Sequence, residues 1–151
     1  MKKDAPIILF IPLVFMFAVA GFVRAERLPT RIYTIADGLS RDSVACVKQD
    51  SRAFLWFCTF EGLSRFDGHE FKNYPKEYGL PDRVVNDFLE TRGGRIWVGT
   101  GNGLALFNPK GQPANSSPDA AEPMFTAFKL PVETQWGKDI IKLFEDSNGT
   151  V

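Results

Sequence analysis

The sequence predicts an all-β fold, an incomplete β-propeller of four-stranded antiparallel blades preceded by an N-terminal signal helix. A unit of 41 residues occurs twice without a gap, and each copy contains four short apolar runs separated by turn residues. The first copy carries Gly38-Leu39, Trp56 and Gly62-Leu63, and the same residue types recur 41 positions later. A period near 40 residues, built from runs of branched and aromatic residues, is typical of radial β-arrays.

The composition is that of an ordinary globular protein. Of the 151 residues, 44% are hydrophobic and 24% are charged, and the 18 basic residues balance the 18 acidic ones. Fourteen Phe, three Trp and three Tyr favour sheet interiors. Because the net charge is zero, no overall field would attract phosphate backbones, so nucleic acid is not an expected partner.

Residues 1–25 have the pattern of a signal peptide. Two lysines precede an apolar run, Ile7–Ala20, and small or medium side chains end the segment at Ala25. Cleavage after Ala25 is the preferred interpretation. An uncleaved anchor over Ile7–Val23 is the alternative, because 17 residues lie near the short limit for crossing a bilayer. In both cases we expect residues 26–151 to be exported to the periplasm.

The exported part, 26–151, is expected to form a partial propeller. Its predicted parts are a leading strand at 31–35, blade 1 at 37–74, blade 2 at 78–129 with a loop insertion at 110–124, and a truncated blade 3 at 136–151. The expected strands are Val44–Gln49, Phe54–Thr59, Leu63–Phe66, Phe71–Tyr74, Val84–Glu90, Arg95–Gly99, Leu104–Phe107 and Phe125–Lys129. A leading strand commonly joins a closing blade from the C-terminal end, so the chain is expected to open a longer protein.

Two cysteines in an exported chain raise the question of a disulfide. If the turn after Gln49 places that residue opposite Phe54, the first hairpin has a fixed register. Cys46 then lies opposite Phe57, and the side chain of Cys58 points to the other face of the sheet. The sequence therefore predicts that the two cysteines do not form an internal bridge.

Several fixed residues recur in the motif-bearing runs of both units. These runs are Asp37-Gly-Leu-Ser-Arg-Asp-Ser-Val44, Gln49-Asp50, Leu55–Gly68 and Ile96–Phe107. They resemble the two-component regulator propeller repeat, whose units carry a D-G-L start, a Q-D turn and a W-x-G-T-x-x-G-L core. The resemblance covers about residues 31–151. It implies a β-propeller outside the inner membrane, at the N-terminus of a bacterial sensor protein.

In that family a small β-sandwich, a membrane helix and a cytoplasmic output module follow the propeller, and the module is often a histidine kinase. The resemblance thus implies that a full-length relative is anchored in the inner membrane. Two residues depart from the repeat: Ala53 stands where the second unit has Gly94, and Cys58 stands where it has Gly99. The turn position of Ala53 is expected to need a positive φ, which disfavours Ala by about 1 kcal/mol.

Strict recurrence assigns Trp56, Trp97, Gly62 and Gly103 to structure, with each Trp filling the space between adjacent blades. Loops that precede the first strand of each blade should cluster on one face, where propellers bind ligands. The predicted ligand contacts are Arg41, Asp42, Asp82, Arg83 and Trp136. The ligand is not identified, and carbohydrate is one expected class.

Catalytic, cofactor and metal sites are not predicted, and the chain is not expected to be an enzyme. His69 is the single histidine, which is too few for the usual zinc site or for a catalytic triad with a placed nucleophile. Seven carboxylates were weighed as a glycosidase pair, and turn formation explains most of them. They are Asp37, Asp42, Asp50, Glu61, Asp67, Asp82 and Asp87.

The sequence thus favours the sensory propeller region of a two-component-type signalling protein, cut before its membrane helix and output module. Expected partners are a periplasmic or extracellular ligand, further C-terminal blades of the same propeller, and a second copy in a homodimer of the full-length protein. Two alternatives stay open: a fragment of a propeller polysaccharide lyase or hydrolase, and a stand-alone exported interaction module.

Overall fold

The computed structural model describes residues 28–114, 122–128 and 138–151. The predicted signal peptide at 1–25 lies outside these residues, as does Trp136. The chain separates into two compact units, Met1–Ile32 and Tyr33–Val151, and both sheets lie in the second. Within the described ranges no helix is long and apolar enough to cross a membrane.

Two four-stranded antiparallel sheets confirm the all-β prediction. Blade 1 has the strand order β1-β2-β3-β4 and blade 2 the order β5-β6-β7-β8, so each sheet is a meander of sequential strands. The strands are β1 Val44–Gln49, β2 Leu55–Thr59, β3 Gly62–Phe66, β4 Phe71–Tyr74, β5 Val85–Glu90, β6 Ile96–Thr100, β7 Gly103–Phe107 and β8 Phe125–Phe128. Alternating side chains point to opposite faces of each sheet, and β1 and β2 of blade 1 pack against β5 of blade 2.

The turn between the first two strands of a blade occurs three times in the same form. In blade 1 the amide of Asp50 donates to Phe54 O (3.0 Å), and the amide of Ala53 donates to Asp50 O (3.0 Å). The same two bonds close Thr91–Arg95 and Asp146–Thr150. The fourth residue of each turn has positive φ: 67° at Ala53, 76° at Gly94 and 84° at Gly149. The expected left-handed conformation of Ala53 is therefore present.

This turn corrects the prediction about the cysteines. Because Phe54 belongs to the turn, Gln49 pairs with Leu55, one residue further along than expected. Cys46 then lies directly opposite Cys58, with 4.9 Å between their Cα atoms, and the two residues form a disulfide. The prediction that no internal bridge forms was wrong because it assumed a turn that was one residue too short.

The leading strand at 31–35 was expected to pair with a closing blade, so its pairing stays a prediction. Residues 31–34 belong to no sheet, and Ile35–Asp37 form a short 3-10 helix that begins with a capping box between Thr34 and Asp37. The side chain of Tyr33 instead covers blade 1, with ring centroids 4.9 Å from Phe66 and 5.7 Å from Phe71. The cap and this ring contact hold the segment against the face of the sheet, where it does not pair with a strand.

Tyr74 repeats the role of Tyr33 one blade later. Its ring lies 5.6 Å from Phe107 and 5.9 Å from Phe125, the counterparts of Phe66 and Phe71. A second 3-10 helix, Lys76–Tyr78, follows it, and Gly79 ends that helix with φ 105°. The 41-residue period therefore extends to the 3-10 helices Ile35–Asp37 and Lys76–Tyr78, which precede β1 and β5.

The expected third blade is represented by residues 138–151, which contain no assigned strand. Its first segment still docks on blade 2, since the amide of Ile140 donates to Thr100 O (2.9 Å). Asn86 returns a side-chain bond to Ile140 O (3.1 Å). The Asp146–Thr150 turn then follows in the position that the period requires.

The centre of the core is the indole of Trp56 on β2. Its side chain is fully buried and stacks on Phe88 of blade 2, with centroids 4.9 Å apart and an interplanar angle of 21°. Tyr74 stacks on the same indole at 5.7 Å and Phe107 meets it edge-on at 5.3 Å. The indole N–H donates to Asp50 Oδ2 (2.9 Å), so its one polar group is satisfied.

Trp97 occupies the matching position of blade 2 and is only partly buried. Its ring lies 5.2 Å from Phe128, the counterpart of Tyr74 in the register of the last strand pair. Thr91 replaces Asp50 beside it, and the Thr91 hydroxyl bonds to Arg95 in its own turn. The two tryptophans share a place in the sheet but differ in how completely they are enclosed.

We expect Trp56→Ala to lower the free energy of unfolding by about 3–5 kcal/mol, because it leaves a large cavity between the blades. Trp97→Ala is the matched control and should cost about 1–2 kcal/mol, because its indole is already partly hydrated. Urea denaturation followed by circular dichroism measures both values. Equal losses for the two variants would contradict the packing described above.

We expect both cysteines to resist alkylation in the folded, unreduced chain. The double variant Cys46→Ser, Cys58→Ser should be less stable by about 2–3 kcal/mol, since the bridge closes a short loop in the unfolded state. Mass spectrometry after iodoacetamide treatment, with and without prior reduction, measures the first outcome, and urea denaturation measures the second. Two alkylated cysteines in the unreduced chain would show that the bridge does not form.

Candidate functional site

Four of the five predicted ligand contacts, Arg41, Asp42, Asp82 and Arg83, lie at one end of the sheets, which we call the linker end. It contains the segments that lead into β1 and β5, at 39–43 and 80–84, and the turns at 60–61 and 101–102. Antiparallel strands return to the same end after every second strand, so these four pieces share it. The opposite end, which we call the turn end, carries the turns at 50–54 and 91–95.

Two of the predicted contacts bind the protein's own backbone. Asp42 Oδ1 accepts from the amide of Ile35 (2.9 Å) and so ties the 3-10 helix to the segment before β1. Asp82 Oδ1 accepts from the amide of Val84 (2.9 Å) in a local turn before β5. Both carboxylates therefore fix the backbone at the linker end. A ligand there would bind to their remaining lone pairs.

Arg83 joins the two blades at the same end. Its guanidinium lies 2.9 Å from Glu61 Oε1, and both side chains are well exposed. The backbone carbonyl of Arg83 accepts a hydrogen bond from the amide of Gly62 (2.7 Å). A Cβ atom added to Gly62 would lie 2.5 Å from Tyr74 O. Only glycine fits at this crossing, which also has φ 113°. Arg41 lies on the segment that leads into β1 and is exposed.

The structure thus brings Arg83 into contact with Glu61, which the sequence assigned to a turn alone. Asp82 precedes Arg83 on the same segment. Asp42 lies one repeat earlier, on the segment that leads into β1. Trp136 lies outside the described residues, so its predicted role stays a prediction. Glu61 and Arg83 are 22 residues apart in sequence, and their side chains are in direct contact in the fold. The sequence shows both residues but not this contact.

A recurring carboxylate clamp links the blades at the turn end. Glu90 on β5 accepts from both the amide (2.6 Å) and the hydroxyl (2.7 Å) of Ser51 in the preceding blade. Glu145 accepts from the amide of Arg92 (2.9 Å) in the same way, one blade later. Arg92 also donates its side chain to Asp146 O. Each first turn is therefore held by an acidic residue of the next unit.

Asp87 is a fully buried carboxylate at the junction of three units. The amide of Leu143 donates to Oδ2 (2.9 Å), Lys142 Nζ lies 3.3 Å away, and Lys48 of blade 1 lies 3.8 Å away. Burying a charge is costly unless partners satisfy it, and here one N–H and two ammonium groups do so. The carboxylate is therefore a structural link between blades.

The turn at 67–70 contains the single histidine. The amides of Glu70 (2.9 Å) and His69 (2.8 Å) donate to Asp67 Oδ1, and these bonds, the Glu70 amide first, lower the pKa of the Asp67 carboxyl. A lowered pKa favours the folded state above the ordinary carboxyl pKa, and the gain disappears as the pH falls through the folded-state value. Gly68 is the residue of this turn with positive φ (101°).

Metal ligands do not converge in the parts of the chain that the structure describes. No three His, Cys, Asp or Glu side chains there lie close enough to hold an ion. The carboxylates that were weighed for glycoside hydrolysis mostly accept bonds from backbone amides or pair with a neighbouring cation. Asp50, for example, accepts from the amides of Arg52 and Phe54 (both 2.9 Å) and from the Trp56 indole.

Comparison with known proteins confirms the resemblance drawn from the repeat motif. Residues 79–102 match the family described as two component regulator propeller. The chain is 50% identical over 42 residues to histidine kinase P4 of Formosa agariphila, a match that covers 28% of this chain and 3% of that protein. The matched segment is therefore a small part of a much longer relative.

The fold is also similar to a solved structure, the extracellular domain of BT3049 from B. thetaiotaomicron, which is assigned as a hybrid two component system. The TM-score is 0.53 at 23% identity, over 74% of this chain and 14% of that one. This similarity supports the propeller fold. The sequence match in the first strands of blade 2 and the structural similarity over most of the chain both support a propeller fold.

We expect Arg83→Ala to lower the free energy of unfolding by less than about 1 kcal/mol, because an exposed ion pair is screened by solvent. Gly62→Ala, at the neighbouring crossing, should cost at least about 2 kcal/mol through backbone clash and positive φ. Thermal and urea denaturation measure both values. A large loss for Arg83→Ala would show that the residue holds the blades together and is a poor probe of ligand binding.

Proposed function

We propose that this chain is the extracytoplasmic sensory region of a two-component-type signalling protein, in which the propeller receives a ligand at its linker end. The observation that carries the proposal is the regulator propeller match at residues 79–102. The 42-residue match to a histidine kinase supports the same class. The chain spans only a few per cent of that relative, so its kinase activity is proposed for a longer protein and not for these residues.

The geometry of the linker end suits reception more than catalysis. Arg41, Asp42, Asp82 and Arg83 present both charge signs on segments that join one blade to the next. Loops held by a rigid sheet are the usual place for ligand contacts, because the sheet fixes their backbone. A ligand bound across two such segments would alter how the blades sit against each other, which is a change that a downstream module can sense.

Export is the first part of the proposal to test. Fusion of residues 1–151 to alkaline phosphatase, which is active only outside the cytoplasm, should give active enzyme in bacterial cells. The matched control lacks residues 1–25 and should be inactive, while the same pair fused to β-galactosidase should show the reverse pattern. Equal phosphatase activity with and without residues 1–25 would contradict the proposed location.

Sensing is tested in the intact coding unit that contains this chain. Cells that carry it should change transcription of neighbouring genes when supplied with oligosaccharides, and Arg83→Ala combined with Asp82→Asn should raise the ligand concentration needed. The turn-end substitution Arg95→Gln is the matched control. If deletion of residues 33–151 leaves every response unchanged, the sensory role is wrong.

A further inference from the structure

The structure assigns a second binding site, distinct from the linker end: Arg52, Arg65 and Lys72 of blade 1, which we call the cation cluster, form a site for an oxyanion. We propose that it binds a carboxylate, sulfate or phosphate group of a ligand. The cluster lies towards the turn end, among the rings of Phe54 and Trp56.

Two members of the cluster, Arg65 and Lys72, lie in one cross-strand row with a third cation, Lys48. Lys48 pairs with Trp56, Trp56 pairs with Arg65, and Arg65 pairs with Lys72. Like charges directly opposite on neighbouring strands are destabilising. Blade 2 avoids this arrangement, because its matching row is Leu89, Trp97, Leu106 and Thr126. The cations are therefore a departure from the repeat that the fold does not require.

The members of the cluster also lack acidic partners among the described residues. The ion pairs there use Lys48, Arg83, Arg92 and Lys142, and none involves the cluster. Asp50, two residues from Arg52, is already engaged by two amides and an indole. Asp67, two residues from Arg65, accepts from two amides, and Glu70, two residues from Lys72, takes part in none of the ion pairs of the described residues. Like-charge repulsion inside the cluster is thus not offset by a direct ion pair within the described residues.

The Nε atom of Arg65 is buried and has no hydrogen-bond partner. An unpaired buried donor is unfavourable, and it is rare in folded proteins. The guanidinium carbon lies 4.3 Å from the centroid of Phe54, and that of Arg52 lies 5.6 Å from the same ring. Cation–π contact stabilises the faces of the two guanidinium groups but leaves their in-plane N–H donors free.

Two guanidinium groups over one ring, with a lysine opposite Arg65 on the next strand, supply the types of donor that bind an oxyanion. Lys72 Nζ lies over the ring of Tyr74 (5.5 Å), so the third charge is held on the same face. Burial raises the pKa of Tyr74, and the positive charge of Arg65 acts in the opposite direction. Aromatic rings beside the cations give an apolar surface on which the body of an organic anion would lie.

If the chain has the proposed sensory function, the cation cluster implies that the sensed ligand is anionic. This statement about the sensed ligand rests on the proposed function. Binding itself does not, because it is measured on the purified 151-residue chain by isothermal calorimetry. The probes are a heparin-derived hexasaccharide, an oligogalacturonate hexamer, neutral maltohexaose, inorganic sulfate and inorganic phosphate. A response to the saccharides but not to the free ions identifies an acidic glycan, and a response to the ions alone identifies a small oxyanion.

We expect at least one anionic probe to bind, maltohexaose not to bind, and the affinity to fall as salt is raised. Arg65→Leu and Lys72→Thr, which restore the residue types of blade 2, should each weaken binding roughly tenfold or more. Arg95→Gln removes an exposed cation of blade 2 and should leave affinity unchanged.

Thermal denaturation separates binding from structure. Because Arg65→Leu removes an unpaired buried donor and a repulsive pair, its melting temperature should equal or exceed that of the parent chain. The inference is overturned if no anionic probe binds, if both variants bind as well as the parent, or if Arg65→Leu melts at a clearly lower temperature. Failure of the cellular sensing experiment would leave this result unaffected, so the two proposals fail separately.

Discussion

The stack of Trp56 on Phe88 is the contact on which the rest of the structure depends. A four-stranded sheet with apolar side chains on both faces must be covered on both sides, and this indole covers blade 2 while it completes blade 1. Asp50 fixes the ring through its N–H, and Gly62 lets the following segment approach closely enough to pack beside it. Packing and polar satisfaction thus meet at one side chain.

The same positions carry different residues in successive units, and the structure shows what each exchange does. Cys46 and Cys58 correspond to Asp87 and Gly99, so a disulfide inside blade 1 takes the place of a buried charge that binds the third unit. Gly99 has no such freedom, because a Cβ there would lie 2.7 Å from the side chain of Ile140. The repeats therefore share one backbone conformation, whereas the interactions that stabilise it differ from one repeat to the next.

The strands were predictable because their period-2 pattern and the 41-residue repeat agree, and most predicted ends lie within one residue of the observed ones. The first hairpin failed for a local reason: Ala53 adopts the left-handed conformation of a longer turn, and one residue of register decides whether Cys46 meets Cys58. The contact of Arg83 with Glu61 was not predictable either, since it joins residues of two different strand connections. Pairing across a sheet depends on turn geometry, which the sequence pattern specifies only weakly.

Conformity to the repeat separates residues whose polar groups the fold uses from residues whose polar groups it leaves unpaired. Asp50 and Asp146 recur and cap the same turn, and Glu90 and Glu145 recur and clamp the preceding blade. The carboxylate oxygens of these four residues already accept hydrogen bonds that hold the fold together. Arg65, by contrast, replaces a leucine type, faces a like charge and keeps an unpaired donor, so the fold uses little of its polar chemistry. A polar residue that breaks the repeat without a structural partner is free to act on something outside the chain.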